Sequence, residues 1–199
     1  MAAPYDAKKS IVLSTFDLRP DDSGTKIIAA LYTAAERGVQ VQILIDGIYQ
    51  KLFLEKSPVF QALAAHQNIE VGIYNPVTNL MRLNYRMHDK YLIIDEAMYL
   101  LGGRNTNDIF LGDKKTRINV DRDIFVYEET QGKGESLQAL EKYFDTIWNE
   151  AQVRKKKKTY AASYEEKYKS EYHQLKERYR SLKEKYPDIE NYEHWEDDT

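Results

Sequence analysis

A chain of 199 residues allows one domain with a real core, or one domain with an appendage. Its 29 Lys and Arg against 32 Asp and Glu leave a formal net charge of −3, so it lacks the overall basic field of a dedicated nucleic-acid binder. Cysteine is absent, which excludes disulfides, thiolate zinc sites and cysteine nucleophiles.

Residues 10–16 read as a buried strand, and the turn cluster of residues 20–24 follows. Ile27, Ile28, Leu31, Tyr32 and Ala35 have helical spacing, which predicts a helix over 25–37 that stops at Gly38. Val39, Val41, Ile43 and Ile45 alternate as a strand, so strand, helix and strand make a parallel crossover. Ser57 and Pro58 open a short helix over 59–66. Residues 69–74 form another strand, broken by Asn75 and Pro76, and residues 77–87 read as an irregular loop. Residues 91–94 and 98–101 are apolar runs around a polar turn and read as an antiparallel pair. A further strand is expected at 124–127. A helix is expected at 137–148, with Leu137, Leu140, Phe144 and Trp148 on one face.

The composition changes near Ala151. Arg154 and Lys155–Lys158 open a segment rich in Tyr, Lys and Glu. Tyr164, Tyr168, Tyr172, Leu175, Tyr179, Leu182 and Tyr186 step by three or four, which is a narrow helical stripe. Such a helix is expected to project from the domain, continuing from or folding back on the 137–148 helix. Pro187 ends it, and the acidic residues 193–198 read as a loose tail. The division is therefore a domain over 1–152, a helical extension over 153–187 and a tail over 188–199. The basic run reads first as a charged helix face or linker, with anionic headgroups as its alternative partner.

The chemistry is carried by His88, Lys90 and Asp95 in the spacing His-x-Lys-x4-Asp, followed by Gly102-Gly103-Arg104-Asn105. Side chains alternate in an extended segment, so His88 and Lys90 face one spot. Asn105 adds an amide from the loop after the next apolar run. A nucleophile-capable imidazole, a fixed cation and an amide suit a phosphodiester: the imidazole attacks phosphorus and the others hold its non-bridging oxygens. His66 and His173 read as surface residues. No carboxylate cluster has metal spacing, and the chemistry needs neither metal nor cofactor.

This motif resembles the phospholipase D superfamily signature, and within it the bacterial cardiolipin synthase branch. Besides the spaced residues, Ala34-Ala35-Glu36-Arg37-Gly38-Val39-Gln40-Val41, Arg82-Leu83-Asn84-Tyr85-Arg86-Met87-His88 and Phe144-Asp145-Thr146-Ile147-Trp148-Asn149 are similar to that branch. The likeness covers roughly residues 8–152 and implies a phospholipase D-like α/β half, a mixed sheet flanked by helices. It implies that His88 is the nucleophile or its partner acid, and that Lys90 and Asn105 bind phosphate oxygens. Asp95 matches the motif aspartate, a scaffold more than a reactive group. Gly103 stands where many members have Ser, Arg104 is either a substrate contact or a structural ion pair, and Asp123 matches the acid that orients the histidine.

Such active sites use two motif copies, and this chain has one. It is expected to be the first half of a longer protein, or else one member of a homodimer. The implied activity is phosphatidyl transfer of the cardiolipin synthase type on a phospholipid substrate. A homodimeric phosphodiesterase or nuclease, and an inactive half serving assembly, are the alternatives. Nucleic acid is not the expected partner, since phosphate-tracking grooves are basic. Residues 1–6 carry no apolar signal core, and no apolar run approaches the roughly 18 residues that span a bilayer. The expected location is a bacterial cytoplasm or the periphery of a membrane.

Overall fold

The structure, a computed structural model, describes residues 7–78, 83–112, 115, 119–128, 133–156 and 162–187. Residues 1–6, Arg82, the 157–158 end of the basic run and the acidic 193–198 lie outside these residues, as does the Tyr164 side chain.

Strands β1 (Ser10–Thr15), β2 (Gln40–Asp46), β3 (Ile69–Tyr74), β4 (Tyr91–Ile94), β5 (Met98–Gly102), β6 (Asp123–Tyr127) and β7 (Val153–Lys155) form one mixed sheet. Its order is β6-β5-β4-β1-β2-β3-β7. The first three strands are parallel, with Ile11 opposite Val41 and Val41 opposite Ile69. β4 turns back along β1, with Leu13 opposite Leu92, and β5 and β6 continue antiparallel.

The helix α1 (Asp22–Glu36) carries the β1–β2 crossover. It starts three residues before the expected 25–37 helix, because Asp21 caps it by accepting from Gly24 N at 2.9 Å. Gly38, at φ +100°, ends it in the left-handed region where a side chain is strained. The short α2 (Gly47–Tyr49) runs into a π-helical turn over Gln50–Leu54, a stretch for which the sequence predicted no element. Helix α3 (Pro58–Ala65) is capped by Ser57, with Pro58 in its first turn. After β5 come α4 (Asp108–Leu111), α5 (Glu135–Trp148), α6 (Ala162–Lys167) and α7 (Lys169–Lys185).

Alternation along the strands divides the core into two faces. Ile11, Leu13, Ile43 and Ile73 pack with α1 and α3, while Leu44, Ile93 and Tyr91 pack with Leu137, Phe144 and Trp148 of α5. On the α5 face the Trp148 ring lies over Gly72, where a Cβ would come within 2.6 Å of it. Only glycine lets helix and sheet approach that closely.

The C-terminal segment departs from expectation twice. Residues 153–155, assigned to the extension, pair antiparallel with β3, so Arg154 and Lys155 stand on a sheet edge rather than on a helix face or linker. Edge strands tolerate such charge. Helix α7, expected to project, lies instead across α1 and α3 on the face opposite α5. Leu175, Tyr179 and Leu182 are buried there, Tyr172 stacks on Tyr32 at 5.1 Å, and Lys176 and Arg178 pair with Glu36 and Asp22. The reason lies in α1. Ala29, Ala30, Leu31, Ala34 and Ala35 are all fully buried, so α1 is apolar nearly all round and needs cover on its outer side.

Candidate active site

The carboxyl ends of β1, β2 and β3, the start of β4 and the end of β5 meet at one end of the sheet. Crevices at the carboxyl ends of parallel strands are the usual ligand site of such sheets. Residues 86–90 bring in the motif with its side chains alternating. Met87 is buried against the α5 face, and Asp89 accepts from Tyr143 Oη of α5 at 2.8 Å. His88 and Lys90 turn the other way, as the spacing predicted, and Arg86 goes with them.

His88 is exposed, and Lys90 is only 8% exposed. The Lys90 ammonium donates to the His88 carbonyl at 2.7 Å and lies 3.2 Å from Nδ1. Burial first, then the Lys90 charge, pushes the His88 pKa below its ordinary 6.5. Burial likewise lowers Lys90, with Asp89 and Asp121 opposing. Phe16, the residue after β1, sets its ring edge-on to His88 at 4.4 Å between centroids. Lys90 Nζ and the Arg86 guanidinium sit 5.1 and 4.8 Å from that ring's centre. Arg86 is further fixed by a bidentate bond to the buried Asp46, at 2.7 to 3.0 Å.

Asn105 is held by its neighbours. Thr106 Oγ1 lies 3.0 Å from Thr15 Oγ1, Thr106 N donates to the Asp17 carbonyl at 3.0 Å, and Asn107 Nδ2 donates to the Asp17 carboxylate at 2.9 Å. Among the described residues the buried Asn105 amide oxygen has no hydrogen-bond partner. His88, Lys90, Gly103, Asn105, Asn119 and Asp121 line an open cavity of about 430 Å³. The site thus joins an imidazole, a cation and an amide around a space large enough for a phosphodiester.

Two expected members stand elsewhere. Asp95 lies past the far end of β4, at φ 55°, where its carboxylate accepts from the backbone N–H groups of Lys8, Lys9 and Ser10 at 2.7 to 2.9 Å. It ties down the entry to β1. Asp123 packs against Gly102 and pairs with Arg104 Nε at 3.2 Å, and no bond joins it to His88 among the described residues. Arg104 also donates to the Asp121 carbonyl at 2.8 and 3.1 Å, which makes its described contacts structural. Among the described residues, the carboxylate on the cavity is Asp121, which packs against Gly103. The sequence reading missed Asp121, although it stood two positions before Asp123. It also missed Phe16. His66, read as a surface residue, is fixed between Asn68 N at 3.1 Å and Glu36 at 3.2 Å. His173 is exposed on α7, and His194 lies outside the described residues. Among the described residues no group of His, Asp and Glu is arranged to hold a metal ion, and no helix is long and apolar enough to cross a membrane.

This sheet order with its flanking helices is the fold of a phospholipase D-like half. Nuc from Salmonella typhimurium, a phospholipase D family member, superposes with a TM-score of 0.58 at 20% identity, covering 78% of this chain and 87% of that one. The phosphatidylserine synthase of Haemophilus influenzae Rd KW20 superposes with a TM-score of 0.62 at 16% identity, covering 92% of this chain and 40% of that one. The chain belongs to the family described as cardiolipin synthase, PLD-like domain, whose family model matches residues 5–148. Among curated relatives, the cardiolipin synthase of Clostridium perfringens (strain SM101 / Type A) is 34% identical over 145 residues, covering 73% of this chain and 29% of the relative. Cardiolipin synthase C of Escherichia coli (strain K12) is 30% identical over 133 residues, covering 59% and 27%. The chain therefore spans less than a third of these relatives' length.

Proposed function

We propose that this chain carries one half of a phosphodiester-transfer site and acts in phospholipid synthesis of the cardiolipin synthase type. The observation that carries the reading is the placement of His88 and Lys90 side by side on the cavity that Asn105 also lines. Family membership and the cardiolipin synthase relatives support the phospholipid class of substrate.

The reaction is a double displacement. A neutral imidazole forms a bond to phosphorus, and the bond from phosphorus to the leaving alcohol oxygen breaks. A second histidine gives that oxygen its proton. An incoming alcohol then returns a proton to the second histidine and attacks phosphorus, and the phosphohistidine bond breaks. Lys90 and Asn105 offset charge on the equatorial oxygens throughout. With Nδ1 taken up by Lys90, Nε2 is the His88 nitrogen left for the substrate. The second histidine comes from another half or from a second copy of the chain.

A homodimeric phosphodiesterase is the second reading, and one observation favours it. The fold match to Nuc takes in 87% of that chain, so single-half chains of this size exist in the fold. The test is to purify the chain and follow turnover of phosphatidylglycerol vesicles and of a soluble bis-aryl phosphate against protein concentration. Acid-labile phosphate on His88 in the quenched protein, absent from His88→Ala, is expected once a second half is supplied. Turnover rising with the square of concentration selects the homodimer. A fully active His88→Ala assembly eliminates both readings.

A further inference from the structure

Arg86, His88 and Lys90 all meet the same group. The ring of Phe16 takes His88 edge-on at 4.4 Å, Lys90 Nζ at 5.1 Å and the Arg86 guanidinium at 4.8 Å. A fourth group, the Tyr49 ring, abuts it at 4.7 Å. Three side chains spaced two apart on one extended segment are thus set against one half-buried ring from the loop after β1. The ring cannot drift with them. Thr15 and Asp17 on either side of it are fastened to Thr106 and Asn107, the residues that follow Asn105. The Leu18–Thr106 bridge continues this pairing.

Lys90 has a further need for such a ring. It is buried, and among the described residues no carboxylate pairs with it. A buried cation without a counter-ion is costly, and the negative face of an aromatic ring offsets part of that cost. A carboxylate in the same place would compete with the phosphate that the lysine is to hold, whereas a ring leaves the ammonium free to bind an anion.

We propose that Phe16 is a positioning residue of this site, the common plate that sets the plane of His88 and the place of Lys90 relative to Asn105. The proposal rests on the reading of the cavity as a phosphodiester site, but its first measurement does not. The chain has four histidines, so the His88 imidazole can be followed by NMR in ring-labelled protein. Other charges around His88 are Asp89, Asp46 and Asp121, and they stay unchanged in the variants.

Phe16→Leu fills much of the volume without an aromatic face. It should raise the His88 pKa by about half a unit, the equivalent of one exposed cation–π contact, as Lys90 drifts and water enters. Phe16→Tyr and Phe16→Trp should restore the wild-type titration. In the assembled enzyme, Phe16→Leu should lower kcat about tenfold and leave KM within about twofold, since alignment is lost rather than binding. If Phe16→Leu does not fold, Phe16→Met takes its place. Coincident His88 titrations of the wild type and the aliphatic variant overturn the proposal. So does an equal shift in Phe16→Tyr, which would make the ring a space-filler. A wild type that turns over no phosphodiester sinks the functional reading alone, because the titration still decides the role of Phe16.

Discussion

The Lys90 ammonium lies 3.2 Å from Nδ1 of His88, so a protonated imidazole would face a like charge at contact distance. Burial and that charge both favour the neutral ring. The sign follows directly: with the folded pKa depressed, the stabilisation of the neutral form is intact above 6.5 and is lost as pH falls through the lowered value. His88 should therefore titrate below 6.5 by NMR, and the acid limb of activity should fall below that pH. Lys90→Met should move His88 back towards its ordinary value. A His88 titration that ignores Lys90→Met would contradict this coupling.

Asp95 belongs to the sequence motif but to the opposite end of the strand. Its carboxylate satisfies three successive backbone donors ahead of β1. Asp95→Ala should cost about 2 kcal/mol of stability, as expected when charge-assisted hydrogen bonds to the main chain are lost. A denaturant melt measures the loss. The His88 titration should be unchanged, and a shifted titration with an unshifted melt would reverse the assignment.

Two carboxylates near the motif should behave differently. Asp121 lines the cavity, whereas Asp123 is engaged by Arg104. Asp121→Asn removes a negative charge that an incoming anion must meet, so inorganic vanadate should bind about threefold more tightly, a change of the size that one partly screened charge allows. Asp123→Asn should leave vanadate affinity unchanged and lower the melting temperature as Arg104 loses its partner. Isothermal titration of both variants separates the roles, and the reverse ranking would make Asp123 the carboxylate of the site.

Leu175 is fully buried between α7 and the rest of the core. Leu175→Ala should cost about 2–5 kcal/mol, the range for such a cavity. Replacing the exposed Ser181 by Ala should cost under about 0.5 kcal/mol. Equal melts for Leu175→Ala and wild type would mean that α7 is a detachable appendage.

Much of this molecule could be read along the chain, because the decisive signals are local. The strand alternation at Val41, Ile43 and Ile45 and the cap at Ser57 are nearest-neighbour effects. So is the two-residue step that sets His88 beside Lys90 and turns Met87 and Asp89 away. What escaped were the features made by distant segments. Phe16 looks like an ordinary strand-end residue until residues 86–90 fold onto it. Arg154 and Lys155 carry no strand propensity, and their pairing with β3 is imposed by the sheet. The packing of α7 escaped too. Its own stripe is narrow, but the small and apolar residues Ala29, Ala30, Leu31, Ala34 and Ala35 of α1 are what call for a cover on the outer side.

The sheet places β1 at its centre, and α7, far along the chain from it, lies on the helix that follows β1. During synthesis the outer surface of α1 must therefore wait for more than 130 residues before Leu175, Tyr179 and Leu182 arrive. A nascent chain in that interval shows water a sticky helical surface, the kind of transient that chaperones hold and that slows folding through long loop closures. The helix that lies outside the family match is thus the cover of the α1 face of the core.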